Sequence, residues 1–245
     1  MPDVSRMCRG RPQIGFVFDD SDFVVACCSR RAGKSTGGRR KILRKLLAKP
    51  ESLTFYITLT RQSAKRLMWD PLKADLWNLR IPYEANETEL SLTLPSNGSR
   101  VWLAGANDGA QIDRLRGHAP DLALIDEPQS MRERVLRPLV QDVLIPSMLD
   151  RRGQICLTGT PGPVPDGYFY EACHSEGWSR HHWTMLDNTT WSREYVEEFL
   201  ARTRKHMGWS EDHPTYRREF LGEWVWDKDI LVLSAFNPEV HLWAA

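Results

Sequence analysis

No apolar run in the 245 residues approaches the roughly 20 that a helix needs to span a bilayer. The opening stretch "MPDVSRMCRGRPQIGF" has no apolar leader, so secretion is not expected. Cysteine is scarce: Cys8, Cys27, Cys28, Cys156 and Cys173 form an odd set without a CxxC pair. That excludes a disulfide framework and a thiolate zinc site, and reduced cytoplasmic thiols are expected. His181 and His182 are adjacent, and His206 with His213 has no third ligand at a known spacing, so no zinc is assigned. Repeats and low-complexity segments are missing too. What remains is a soluble chain long enough for one large α/β domain, or a core with a small appendage.

Net charge is only +1, yet its placement is uneven. Residues 1–66 carry 15 Lys/Arg against 5 Asp/Glu, and the remainder 18 against 27. An anionic partner for the basic N-terminal third is one expectation; a solvated helix face at "GGRRKILRKLLAK" is the other.

"FVVACCS" reads as a buried strand running into a Gly-Lys-Ser turn, and Lys34 to Ala48 as a helix stopped by Pro50. "SLTFYITLT" is a second strand, followed by a helix broken near Pro71. "ETELSLTLPSNGSRVWLA" is a hairpin, "DLALIDE" and "GQICLTGTP" are apolar strands, and a helix interrupted by two prolines lies between them. Alternating strands and helices predict parallel βαβ units. The divisions predicted are a core over 1–165, a lid-like subdomain over 166–226 with the helix "SREYVEEFLARTRKHMG", and a tail over 227–245.

A strand, a Gly-Lys-Ser turn and a helix N-terminus make the context of a phosphate-binding loop, although Cys28 stands where the leading glycine belongs. Amides around Ala32 to Ser35 would face the β-phosphate, Lys34 would bridge β and γ oxygens, and Ser35 would ligate magnesium. "LALIDE" ends in Asp126, expected to hold magnesium through water, and Glu127, expected to orient or deprotonate the attacking water. Arg30, Arg31 and Arg116 are candidates to neutralise charge on the γ-phosphate, whereas Arg114 reads as surface charge. Thr158 and Thr160, flanking Gly159, are placed to sense the γ-phosphate, or form an ordinary strand exit.

Taken together, "RPQIGF", "CSRRAGKST", "RLRG", "LALIDE", "LTGTP" and "TYRREFLGEW" resemble the ATPase domain of tailed-phage terminase large subunits, over roughly residues 12–224. These motors package DNA into procapsids. The resemblance implies a P-loop NTPase of the ASCE type: an α/β fold with a mostly parallel central sheet flanked by helices and a small C-terminal lid. It implies ATP and Mg2+ as cofactors, with the loop Ser29, Arg30, Arg31, Ala32, Gly33, Lys34, Ser35 and Thr36 around the nucleotide. Gln13 resembles the family's adenine-contacting glutamine, Asp126 and Glu127 its Walker B pair, and Thr158, Gly159 and Thr160 its coupling motif. Arg30 resembles the loop arginine proposed to act in cis, and Arg116 the arginine proposed to act in trans. Implied partners are double-stranded DNA, a homo-oligomeric ring (a pentamer), a portal protein and a small terminase subunit, with action in the host cytoplasm on the viral procapsid. Full-length members continue into an RNase H-like nuclease; Asp227 and Asp229 alone do not make that site, so no DNA cleavage is expected.

A two-lobed helicase would need a second lobe, for which too few residues follow Pro163. A small-molecule kinase would lack the Glu beside the Asp, and a non-catalytic nucleotide- and DNA-binding module would bind without hydrolysis.

Overall fold

The computed structural model describes residues 3–227, so the predicted tail lies outside the described residues apart from Asp227. Eight strands form one sheet in the order β3-β4-β5-β2-β6-β7-β1-β8. They are β1 (Phe23–Cys27), β2 (Leu53–Thr58), β3 (Glu84–Asn86), β4 (Ser91–Thr93), β5 (Arg100–Gly105), β6 (Leu122–Asp126), β7 (Gln154–Gly159) and β8 (Ser179–His181). From β5 to β8 every pairing is parallel, and only the β3-β4-β5 edge is antiparallel. β6 and β7 are buried at every position, as expected of strands covered on both faces. This is an α/β fold with a mostly parallel central sheet flanked by helices.

Helix α1 (Arg11–Phe18) and helix α2 (Lys34–Ala48) cover one face. Phe16, Ile42, Leu43, Leu46, Tyr56 and Leu124 meet there in the larger core. Phe55, Ile57, Ile125, Leu139, Leu157 and Phe169 form the core of the opposite face. A third, small cluster of Met185, Val196, Leu200 and Tyr216 belongs to the C-terminal segment. Its long helix, Arg193–Met207, starts at the Ser192 cap and stops at Gly208 in the left-handed region, both local signals that the sequence displays. Segment 166–226 also supplies β8, which pairs with β1 along Val24 to Ala26. No helix among the described residues is long and apolar enough to cross a membrane.

Two sequence expectations need correction. Pro71 does not break its helix: Arg61–Ala64, a π turn over Lys65–Trp69 and Asp70–Asn78 run on continuously. The wider turn directly before Pro71 takes up the missing proline N–H within the continuous helix. Pro138 is treated alike, with a π turn over Leu139–Leu144 directly behind it.

The second correction concerns charge. The cations of α2 are largely spent inside the protein. Asp75 receives Arg39 Nε at 2.5 Å and also Arg40. Lys41, 2% exposed, donates to the carbonyls of Phe16 at 3.0 Å and Asp19 at 2.6 Å. Arg44 pairs with Asp20 and Lys49 with the buried Asp121. Acids from beyond residue 66 thus neutralise Arg39, Arg40 and Lys49, and α2 is not a solvated basic face.

Asp75→Ala leaves two nearly buried guanidiniums without their acid, which costs about 3 kcal/mol or more. Thermal unfolding should show Tm falling on the order of 10 °C; a change of only about 1 °C would show that the cluster contributes nothing.

Candidate active site

Between β1 and α2 the chain must turn sharply while leaving amides free for an anion. It does so with two left-handed residues, Arg31 at φ 59° and Gly33 at φ 88°. Cys28, at the position of the missing glycine, is not among the left-handed residues, and its side chain is fully buried in the core. The strained position of the loop is Arg31, an L-residue in a sparsely populated region.

The loop is held from a distance in sequence. Ser29 N–H donates to Trp183 O at 3.2 Å, and Arg30 N–H to Glu219 O at 2.8 Å. Trp183 Nε1 donates to Ala32 O, Asn188 Nδ2 to Arg31 O, and Met185 N to Ser29 Oγ. From below, Gln13 Nε2 donates to Gly33 O at 2.9 Å. Gly222, at φ 71°, lies so near the loop that an added Cβ would sit 2.6 Å from Ser29 N. Only glycine fits there.

Six predicted residues converge at this loop. Lys34 Nζ donates to Ser29 O at 3.0 Å and Thr160 Oγ1 at 2.7 Å, and stands 3.7 Å from Glu127 Oε1. Ser35 Oγ donates to Asp126 Oδ2 at 3.3 Å. Thr158 Oγ1 donates to Asp126 Oδ1 at 2.8 Å, so Thr158 and Thr160 flank Gly159 while touching the two halves of the site. Glu127 occupies the left-handed region at φ 56°, a second strained residue at this spot. The Thr36 side chain is buried in the first turn of α2.

Asp126 is fully buried. Burial pushes its carboxyl above the usual carboxylate range, reinforced by the neighbouring Glu127 charge and opposed by hydrogen bonds from Tyr56 and Thr158. Tyr56 Oη donates at 2.6 Å, and burial beside Asp126 keeps this phenol protonated. One carboxylate and a serine hydroxyl are a hard-oxygen set that fits magnesium sharing its remaining positions with phosphate and water. Ser35 and Asp126 would hold that ion.

Other predicted residues are placed differently. Gln13 is fully buried with its amide engaged at both ends, by Arg9 N–H at 2.6 Å and by Gly33 O, so it braces the loop. Contact with adenine would require it to exchange a partner. Arg30 reaches away from Lys34 and pairs with Glu219. Arg31 is exposed. Arg116 pairs with Asp113 at 2.7 Å and donates to Asp142 O at 3.1 Å; no hydrogen bond or ion pair joins it to Lys34, Asp126 or Glu127. Sequence reading missed Tyr56, Trp183, Asn188 and Glu219, because nothing local marks a residue whose partner is so far along the chain.

A carboxyl whose folded value is raised holds a proton that the unfolded chain has lost. Its contribution to stability therefore falls as pH rises from the unfolded value of about 3.9 through the folded one. Asp126→Asn should raise the unfolding midpoint of the nucleotide-free protein at pH 7 and flatten its dependence across that window. An equal or lower midpoint in thermal melts would refute the conflict at this site.

No protein-family model and no curated protein matches the sequence. Solved structures do. The large terminase ATPase domain of Thermus phage P74-26 matches with a TM-score of 0.70 at 17% identity, covering 91% of this chain and 96% of that one. The large terminase of a thermophilic bacteriophage, in complex with ADP, matches at 0.71 and 18% identity, covering 89% of this chain and 54% of that one. The HK97 bacteriophage large terminase matches at 0.65 and 14% identity, over 86% and 49%. This chain therefore spans about half the length of the latter two, and its fold is that of the ATPase domain of phage large terminases.

Proposed function

We propose that the chain is the ATP-hydrolysing motor domain of a phage large terminase, converting hydrolysis into translocation of double-stranded DNA into a procapsid. The observation that carries this reading is the convergence of Lys34, Ser35, Asp126, Glu127 and Thr160 above a loop with two left-handed residues. The thermophilic phage terminase, which shares the fold, has been solved with ADP and with ATP-gamma-S. Here Lys34 would leave Thr160 and Ser29 O for β and γ oxygens, and its departure frees Glu127 Oε1 for water. Magnesium, when bound, neutralises charge on the phosphate oxygens. Thr160 loses its Lys34 partner when phosphate arrives, which makes it a sensor of nucleotide state.

Arg30 is the arginine for its own nucleotide. Turning it to the γ-phosphate breaks its pair with Glu219, so occupancy of the site is felt in residues 217–221. Arg116, half exposed and away from its own site, acts on a neighbour's nucleotide in a homo-oligomeric ring. A pentamer docked on a portal protein and served by a small terminase subunit, in the host cytoplasm, completes the reading. DNA is contacted by surfaces other than α2, whose cations are engaged elsewhere.

ATP hydrolysis followed against protein concentration, with and without DNA, should give a specific activity that rises on assembly. Glu127→Gln should lower kcat about 100-fold or more. Phosphate release that is absent in the wild type at ring-forming concentration with DNA would instead identify a binding module. Mixing Lys34→Ala with Arg116→Ala protein should restore activity that neither has alone, since each supplies what the other lacks. Mixtures as inactive as their components would remove Arg116 from the site.

A further inference from the structure

Glu127 is followed by a short turn, Pro128–Ser130, whose middle residue points back at it. Gln129 Nε2 donates to Glu127 Oε2, while the other oxygen, Oε1, is the one facing Lys34. The two carboxylate oxygens thus have separate surroundings. The Glu127 backbone is fixed as well, its N–H on Thr158 O at 2.7 Å and its carbonyl taking Ser130 N–H at 3.0 Å and Ser130 Oγ at 2.7 Å. Its side chain, about one-third exposed, has no other hydrogen-bonded anchor among the described residues.

The far side of Gln129 meets the end of β7 at Gly159, between Thr158 and Thr160. A Cβ added to Gly159 would lie 2.5 Å from Gln129 Oε1 and 2.9 Å from the Phe169 ring, so a side chain there would displace the amide. Gln129 Oε1 is buried without a hydrogen-bond partner, a loss that a freely chosen rotamer would avoid. The amide is held in one orientation, with its NH2 toward Glu127 and its unsatisfied oxygen against Gly159.

We propose that Gln129 is a positioning residue for hydrolysis: it fixes Oε2 of Glu127 so that Oε1 is presented to water at the phosphate. A carboxylate has lone pairs enough to keep the Gln129 bond while accepting from water. This role rests on the reading of Glu127 as the residue that orients the attacking water. Because Gln129 abuts Gly159, movement of the end of β7 is also felt at the Glu127 carboxylate.

Two variants of nearly the same volume separate positioning from packing. Gln129→Leu removes the donor, and Gln129→Glu replaces it with an acceptor that repels Glu127. Both should lower kcat about 10-fold or more, leaving KM for ATP and affinity for a non-hydrolysable ATP analogue within about 2-fold. A Gln129→Leu protein with wild-type kcat, or a rise in KM matching any fall in kcat, overturns the proposal. A Glu127→Ala, Gln129→Ala cycle on the urea midpoint reads the contact without turnover, and the combined effect should fall short of the sum. Additive effects overturn it too. A wild type that releases no phosphate, with coupling present in the cycle, overturns the hydrolase reading and reduces Gln129 to a structural contact.

Discussion

A loop that leaves backbone amides open between a strand and a helix keeps its shape only if its other backbone groups are satisfied elsewhere. Here partners at Trp183, Met185, Asn188 and Glu219 supply that satisfaction, with Gln13 beneath. Each bond contributes about 1 kcal/mol net, but an unmet buried group costs more than a made bond gains. The loop therefore keeps its shape only while the C-terminal segment is docked against it. Under the proposed function, nucleotide affinity and docking of that segment would be two readings of one equilibrium.

The chemistry end of the site is arranged against stability. Asp126 sits in full burial with hydroxyl donors around it and no cation in hydrogen-bond contact, while Arg31 and Glu127 occupy left-handed backbone. None of these features would be chosen for a well-packed core. Elsewhere the protein is conservative: buried Asp75 and Asp121 each have two cations, and buried Lys41 has two carbonyls. The contrast between satisfied structural charges and a poorly compensated one marks the site without reference to any motif.

Local signals made part of this legible in the sequence. α2 was predicted with its observed limits, because a glycine before it and a proline soon after it are chain-local cues. The strands ending in Asp126 and Gly159 were legible from apolar runs too short for helices. Failures came where the deciding partner is remote. Pro71 and Pro138 looked like breaks because a π turn is invisible in a residue string, and "GGRRKILRKLLAK" looked like a solvated face because Asp75 and Asp121 come later in the chain. β8 is three residues long, too short for any periodicity to announce it. In the site, Lys34, Ser35, Asp126 and Glu127 carry motif spacing, whereas Tyr56 and Glu219 are defined only by what they touch.

Pairing of Arg30 with Glu219, 189 residues apart, sets an order of events as well as a geometry. On a ribosome adding roughly 5–20 residues per second, the loop waits on the order of ten seconds or more for the segment that braces it. Long-range closure of this kind is also the slow part of folding, since the entropy of the intervening chain is lost before any contact repays it. The loop is synthesised well before the partners that brace it and becomes rigid only after they arrive. A chain clipped before Trp183 would therefore carry Lys34, Ser35, Asp126, Glu127 and Thr160 and still lack the bonds that give the loop its shape.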